Sequence, residues 1–587
     1  MNNLKYSEIL LQNRSMFKEI KGTPYRVKIL TNVTISSIKE LLEYDLHINQ
    51  INPFVEIGNY DNIIQDSTNC IEFDLVIIFY NTHNIIDGIS SFFEDIEHEM
   101  YQNIKEKICS EIDIIFDNLK NSPSVIFNTF SSKDFVSSYS QKSKIELLIS
   151  ELNEYLEKKK SINVDLIEID KIIMQLGIDQ SIDFKLYSSS KAPYTLAFFK
   201  NYIAAIETIV FRNTGKLKKA IIFDCDNTLW KGVLGEDGID NIDMSGTSHQ
   251  GRFYNKIQQI AIFLSKRGVI VGLCSKNNEI DVSEVLMNHP DIILNEKYIT
   301  IKKVNWLDKV ENLKSIASEL NIGLDSIVFV DDSSFEINLI KEQLPEIITC
   351  QVPSAIYEYP NKLLKVVYKY FNLSDNGDDS RKTELYKQQF IREIDRNKYE
   401  NIEEYLSSLN ISLTIYKDEH QLIPRIAQLT QKTNQFNLTT RRYTENQILN
   451  FMNAKDIHVF AVSVKDKFGD SGLTAVSIIR ENMQKTEEAI IDTFLMSCRI
   501  IGRNIEFKII DYIINWLENN RFQSISTEFI PTKKNGQVEH FYDNLGFNLI
   551  SNKDELNQYS IKLSDYVKKN IEYISIETDV NHPNFKI

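Results

Sequence analysis

The segment Asp224-Cys225-Asp226-Asn227-Thr228 sets two carboxylates two residues apart, directly after the apolar run Lys219-Ala220-Ile221-Ile222-Phe223. Alternate side chains of an extended chain share one face, so Asp224 and Asp226 project to the same side. Phosphoryl transfer through an aspartate needs that arrangement. Asp224 attacks phosphorus and carries an aspartyl-phosphate, while Asp226 protonates the leaving oxygen and then activates water. Thr228 supplies a hydroxyl that helps hold the loop. Further along, Ser275 offers a hydrogen bond to a phosphoryl oxygen, and Lys309, at the start of a helical pattern, neutralises phosphate charge. Asp331-Asp332 adds carboxylates for Mg²⁺, a hard cation that takes oxygen ligands. Taken alone, D-x-D-x-T also fits ordinary turn residues and N-caps. The ordered arrival of Ser275, Lys309 and the Asp pair argues for a phosphate site, used for turnover or for binding alone.

A second candidate lies near the C-terminus. Asp492 to Asn504 joins a strand-like run to a helical one, and Arg499-x-x-Gly502-x-Asn504 approximates R-x-x-G-x-G/A. That is the pyrophosphate loop of acetyltransferase-like folds, which aims backbone N–H groups and a helix N-terminus at a phosphate. The last position is Asn here, not Gly or Ala. Cys498 precedes the loop, and both Arg499 and the nearby helix start favour a thiolate. The competing reading is a small buried apolar side chain. The polar run Thr430 to Arg442 contains Lys432, Arg441 and Arg442, suited either to a phosphate or phosphopantetheine arm or to a solvated helix end.

Alternating buried-strand runs and helical patterns must position these groups. In the first part of the chain the strand runs are Tyr25 to Thr31, Phe73 to Tyr80 and Ser124 to Phe130. Helical spacing at 35–46 and 89–119 lies between them, which predicts a parallel α/β sheet. The middle part repeats this with runs at 219–223, 269–273 and 327–330, each delivering polar residues to the carboxyl edge where open α/β sheets bind ligands. The last part has runs at 458–464, 473–479, 489–494 and 524–530, with helices at 502–518 and 538–544, a mixed α+β order. The acidic stretch Ser374 to Arg381 reads as a linker. These marks give blocks 1–215, 216–373 and 381–587, each of ordinary domain size.

Composition narrows the function classes. The chain has 587 residues, a net charge of −16 and six scattered cysteines with no C-x-x-C pair. The acidic surface disfavours nucleic acid and anionic membrane as main partners. No disulfide framework, structural zinc site, signal peptide or spanning segment is visible, so the expected location is a reduced cytoplasm.

The middle block resembles the haloacid dehalogenase superfamily, in particular its FkbH-like branch. The resemblance rests on Ile222 to Trp230, Gly232 to Gly238, Arg267-Gly268, Cys274 to Asn278, His289-Pro290, Asn305 to Lys309 and Phe329 to Asp332. It implies that Asp224 is the nucleophile, Asp226 the acid/base, and Ser275 and Lys309 phosphate ligands. Lys276 and Asn277 join that binding set. Asp224, Asp226, Asp331 and Asp332 form the metal set, Asp332 being favoured within its pair. The resemblance continues through Gln431 to Asn437, Asp466 to Asp470, Ser497-Cys498-Arg499-x-x-Gly502-Arg503, Pro531 to Asn535 and Phe541 to Phe547. It implies a GNAT-like block in which Cys498 carries a glyceryl thioester and Arg499, Gly502 and Arg503 bind phosphate. The first block resembles a degraded SGNH-hydrolase-like domain, with Leu30-Thr31-Asn32-Val33-Thr34 where the serine-bearing turn would sit. Lys191 to Thr195 resembles the family's lead-in to the catalytic domain.

The expected fold is therefore α/β: an SGNH-like scaffold, a Rossmann-like phosphatase domain with a minimal cap that another domain must close, and a C-terminal α+β block. The expected function is dephosphorylation of D-1,3-bisphosphoglycerate and transfer of its glyceryl group to the phosphopantetheine thiol of an acyl carrier protein, with Mg²⁺. Two alternatives remain: a small-molecule phosphatase with a non-catalytic C-terminal domain, and a non-catalytic binding or assembly subunit.

Overall fold

The computed structural model describes residues 4–16, 23–35, 37–86, 90–133, 142–373, 392, 395–396, 399, 401–482, 485, 487–532, 534–553 and 556–578. The Ser374 to Arg381 stretch lies outside them. The chain forms two compact units, one of Met1–Thr214 with Thr444–Gln447, the other of Gly215–Tyr443 with Ile448–Ile587. Both are α/β. Among the described residues, no helix is long and apolar enough to cross a membrane.

The first unit holds a five-stranded sheet, β1 (Tyr25–Thr31), β2 (Pro53–Ile57), β3 (Leu75–Phe79), β4 (Val125–Asn128) and β5 (Val164–Ile167), in the order β2-β1-β3-β4-β5. All neighbours pair in parallel. β3, Leu-Val-Ile-Ile-Phe, is buried at every position, the pattern of a parallel strand covered on both faces. The turn after β1 is closed by its own polar groups. The Thr31 hydroxyl donates to the Val33 carbonyl at 2.7 Å, and Asn32 exchanges hydrogen bonds with the Asn81 backbone. The pattern at 89–119 resolves into a 3₁₀ segment, Ser90–Asp95, and a helix only from His98–Leu119.

The second unit contains two sheets. The first comprises β6 (Ala220–Phe223), β7 (Ile270–Ser275), β8 (Ile301–Val304), β9 (Ile327–Asp331) and β10 (Ile348–Gln351), all parallel, in the order β10-β9-β6-β7-β8. The chain moves outward from β6 through β7 to β8, then returns to the far side of β6 as β9. This reversal makes a switch-point crevice between β6 and β9, where such sheets bind ligands. The helix Gly251–Lys266 lays Ile257, Ile260, Ala261 and Leu264 on the sheet. It stops at Gly268, whose φ of +72° suits glycine and lets the Gly268 and Val269 amides close the last turn.

The other sheet runs β17-β18-β16-β15-β14-β13-β11-β19, with β12 attached to β15. Its strands are β11 (Ile411–Lys417), β12 (Phe436–Asn437), β13 (Ile457–Asp466), β14 (Gly469–Glu481), β15 (Glu488–Met496), β16 (Ser524–Phe529), β17 (Asn548–Lys553), β18 (Leu556–Lys562) and β19 (Ile574–Thr578). β15 pairs in parallel with β16 only over 488–491, then takes β12 as its antiparallel neighbour at Leu495 and Met496. This change of partner delivers Ser497-Cys498 to the end of β15. The helix expected at 538–544 is a 3₁₀ turn, Gly536–Val538, and a short helix, Phe541–Asn544.

Candidate functional site

Three strand ends build the first site. Asp224 follows β6, Asp331 ends β9 and Ser275 ends β7. Lys309 opens the helix Lys309–Glu319, started by the Asp308 carboxylate accepting from the Val310 amide at 2.7 Å. Lys309 Nζ donates to Asp224 Oδ1 at 2.9 Å and to Asp331 Oδ2 at 2.7 Å. The three side chains are almost fully buried: Lys309 is 5% exposed, Asp224 5% and Asp331 0%. The Ser333 amide donates to the other Asp331 oxygen at 2.8 Å.

The charges in this cluster do not balance. Asp224, Asp331 and Asp332 bring ligand oxygens within 4.8 Å of one another, against the single ammonium of Lys309. Burial pushes the Asp224 carboxyl up to about 6, with Asp331 adding to the rise and Lys309 and the Ser275 hydroxyl opposing it. Burial also raises Asp331, and burial and then Asp224 raise Asp332. Burial alone would pull Lys309 down, but Asp224 and Asp331 more than offset it and hold the ammonium above its ordinary range. Three converging carboxylates form the hard-oxygen donor set that suits Mg²⁺, and a divalent cation would balance the excess negative charge.

Among the described residues, Lys309→Met removes the one ammonium bonded to Asp224 and Asp331. The expected result is a loss of about 3 kcal/mol in stability, the usual cost of stranding a buried partner. Thermal unfolding should register a lower Tm, partly restored by Mg²⁺.

Asp226 does not join the metal cluster, contrary to the expectation from sequence. Its Oδ1 accepts from Trp230 Nε1 at 2.9 Å and the Leu234 amide at 3.1 Å, and its Oδ2 accepts from Asn277 Nδ2 at 2.8 Å. The carboxylate is thus held by the loop after β6 and by Asn277. Thr228 is fully buried, and its hydroxyl has no hydrogen-bond partner among the described residues. Lys276 is turned to Glu336, with Nζ 2.7 Å from Oε1. Trp306 and Leu307 stand exposed on the loop after β8, and Phe335 in the first turn of the helix Ser334–Gln343 that follows β9, at the edge that carries Asp224.

The second candidate centres on Cys498, in the 3₁₀ turn Cys498–Ile500 after β15. Its Sγ accepts from Lys219 Nζ at 3.9 Å, and its carbonyl accepts from Asn321 Nδ2 at 2.5 Å. Sequence reading singled out neither partner, because they lie 279 and 177 residues away along the chain. Lys219 precedes β6 and Asn321 follows the helix Lys309–Glu319, so both mark the edge opposite Asp224. The extended step from Lys219 to Asp224 covers about 16 Å. The helical step from Lys309 to Asn321 covers about 18 Å. Through these two contacts the C-terminal part meets the sheet at the end away from Asp224.

The arginines expected to bind phosphate are engaged inside the fold. Arg499 Nε donates to the Ser497 hydroxyl at 3.2 Å. Arg503 pairs at 2.9 Å with Asp466, which also takes Arg392 at 2.8 Å. Gly502 has φ +82° with open space at its Cβ position, and Asn504 is itself left-handed at φ +61°. Arg441 pairs with Asp492 at 3.1 Å and Glu528 at 2.6 Å. Arg442 donates to the Gln431 carbonyl and to Asn434, and burial lowers it to about 10. These two arginines form no exposed basic patch.

Glu506, in the first turn of the helix Ile505–Asn519, is buried with Oε2 unpartnered among the described residues, and burial pushes it up to about 6 from 4.5. A carboxyl raised in the folded state favours its protonated form, so stability falls as pH rises from 4.5 through 6. The shift corresponds to about 2 kcal/mol. Glu506→Gln should abolish that pH-dependent loss, read from Tm against pH in wild type and variant.

Comparison with known proteins follows the geometry. No protein-family model and no curated protein matches the chain. Among solved structures it is similar to the N-terminal part of a Bacteroides fragilis protein containing a phosphatase domain, complexed with Mg. The identity is 22%, the TM-score 0.55, and the match covers 63% of this chain and 100% of that one. That likeness establishes a shared fold. Smaller matches cover 26% of the chain at a TM-score of 0.21 and 14% identity. They are the ribosomal-protein-S18-alanine N-acetyltransferase of Escherichia coli and mutant forms of the spermidine/spermine N-acetyltransferase of Vibrio cholerae, each over 94% of its own chain.

Proposed function

We propose that the chain is a Mg²⁺-dependent phosphatase joined to an acyl transferase of the FkbH-like type. It takes D-1,3-bisphosphoglycerate and delivers the glyceryl group to the phosphopantetheine thiol of an acyl carrier protein. The observation that carries the phosphatase half is the buried Asp224–Lys309–Asp331 cluster, with Asp332 in ligand range, at the switch-point crevice. A phosphatase-domain structure with Mg shares that fold.

Asp224 attacks phosphorus, and the bond from phosphorus to the substrate oxygen breaks. Asp226 gives that oxygen its proton, then takes one from the water that cleaves the aspartyl-phosphate. Lys309 holds the Asp224 carboxylate in place, and Asn277 orients Asp226. Mg²⁺, bound by Asp224, Asp331 and Asp332, would supply charge neutralisation for the incoming phosphate. The exposed Trp306, Leu307 and Phe335 offer apolar surface at the same sheet edge, which suits a substrate larger than a free metabolite, such as a carrier-borne group.

The transferase half rests on Cys498 and its contact with the Lys219 ammonium. A three-carbon acyl group with its terminal phosphate spans about 7 Å at ordinary bond lengths, well short of the separation from Asp224. Dephosphorylation thus acts on the free substrate or on the group once it sits on the carrier. The test is to mix the chain with Mg²⁺, D-1,3-bisphosphoglycerate generated in situ and a phosphopantetheinylated carrier protein. A glyceryl group on the carrier supports the reading. Phosphate release with both proteins unmodified reduces it to a plain phosphatase.

A further inference from the structure

In the first unit, Phe79 closes β3 and Asn128 closes β4, one step beyond the parallel pair Ile78 and Phe127. The two side chains therefore share a sheet face. On that face the Phe79 ring lies 4.9 Å from the Tyr202 ring, carried by the helix Leu196–Thr214, and 6.1 Å from Tyr194. A cleft opens here at the carboxyl edge, lined by Asn128 and by the rings of Phe79, Tyr80, Phe130 and Tyr194. Counted to its open mouth it measures about 240 Å³, and its enclosed part admits about one water-sized group. Most polar groups of the wall are already engaged. The Thr129 hydroxyl accepts from the Ile169 amide at 3.2 Å, the Ser131 hydroxyl donates to Asp170 Oδ1 at 2.5 Å, and the Tyr80 hydroxyl donates to Glu111. Asn128 is the exception. It is 3% exposed, and neither Nδ2 nor Oδ1 has a hydrogen-bond partner among the described residues. The buried Tyr202 hydroxyl lacks one too; Asn128 opposes the rise that burial imposes on it, so the two groups face each other without closing a bond of normal geometry. An amide buried with both ends unpaired is costly, and such costs are kept where a ligand completes the bonding.

We propose that this cleft binds the carboxamide end of a small neutral ligand, which Asn128 receives between the aromatic walls. The donor and acceptor of the Asn128 amide lie too close together for one hydroxyl to meet both at good angles, whereas a second amide meets both at once. None of the described residues lining the cleft is charged, so an ion would enter without a counter-charge. The ring faces pack against a planar group and shield the pair from water. The first unit then binds a ligand of its own and is more than a scaffold for the other two blocks. This site rests on neither the phosphatase nor the transferase reading.

The experiment titrates the full chain with nicotinamide, read by saturation-transfer NMR on the probe's ring protons. Wild type should bind it with a Kd near about 1 mM, and nicotinate, which carries a charge and lacks the donor, at least about tenfold more weakly. Acetamide should displace nicotinamide, and glycerol should not. Asn128→Leu keeps the side-chain shape and removes both polar atoms, so it should weaken nicotinamide at least about tenfold. The same variant without ligand should melt at or above the wild-type Tm, because it removes two unpaired buried groups. That gain separates a binding amide from a structural one: a Tm several degrees lower would show that Asn128 is already satisfied in the fold, and overturns the site. No saturable nicotinamide binding to wild type up to about 10 mM, or equal binding by wild type and Asn128→Leu, overturns it as well. Displacement by glycerol as effective as by acetamide overturns the carboxamide assignment.

Discussion

Asp224→Asn should lower phosphate release at saturating substrate by at least about a thousandfold, the scale on which loss of a covalent nucleophile acts. The amide keeps the shape of the side chain but cannot form an aspartyl-phosphate. The folded state should survive, because the substitution removes a buried charge that burial already disfavours and leaves Lys309 paired with Asp331 at 2.7 Å. The variant should therefore melt within a few degrees of wild type. A variant that releases phosphate at the wild-type rate would remove the Asp224 cluster from the chemistry.

Cys498→Ala should abolish acyl groups on the enzyme and reduce carrier loading to the uncatalysed background, with hydrolysis of an aryl phosphate within about twofold of wild type. The separation of the two sites requires that split: no step of phosphate removal at Asp224 uses a group near the thiol. Loss of one small side chain at this nearly buried turn should cost about 1 kcal/mol, which an unfolding curve will show. Undiminished carrier loading in this variant would make Cys498 a packing residue and transfer direct.

Much of this was legible in the sequence because the signals are local. β3 and β6 are unbroken apolar runs, and the carboxylates of the first site follow strand ends within a residue or two. β2 and β5 were not read. Each is short and lies at an edge of its sheet, with intermediate or exposed positions among its buried ones, so neither shows the continuous apolar signal of a central strand. Side-chain direction was the other gap. Spacing put Asp226 on the same face as Asp224, but Trp230, Leu234 and Asn277 hold its oxygens, and the metal-range carboxylates are Asp224, Asp331 and Asp332. The run Thr430 to Arg442 read as suited to a phosphate arm or a solvated helix end, whereas Asp492 and Glu528, distant in sequence, pair with Arg441. The Lys219 and Asn321 contacts with Cys498 arise from packing between separate sheets, which no local pattern encodes.

The most direct test of the two-site account is the intact mass of Asp224→Asn after incubation with Mg²⁺ and D-1,3-bisphosphoglycerate, with Cys498→Ala alongside. The account requires an acyl adduct on the Asp224 variant that still bears its phosphate, maps to Cys498 and is missing from the cysteine variant. An Asp224 variant that stays unmodified, or carries a group already stripped of phosphate, would contradict it.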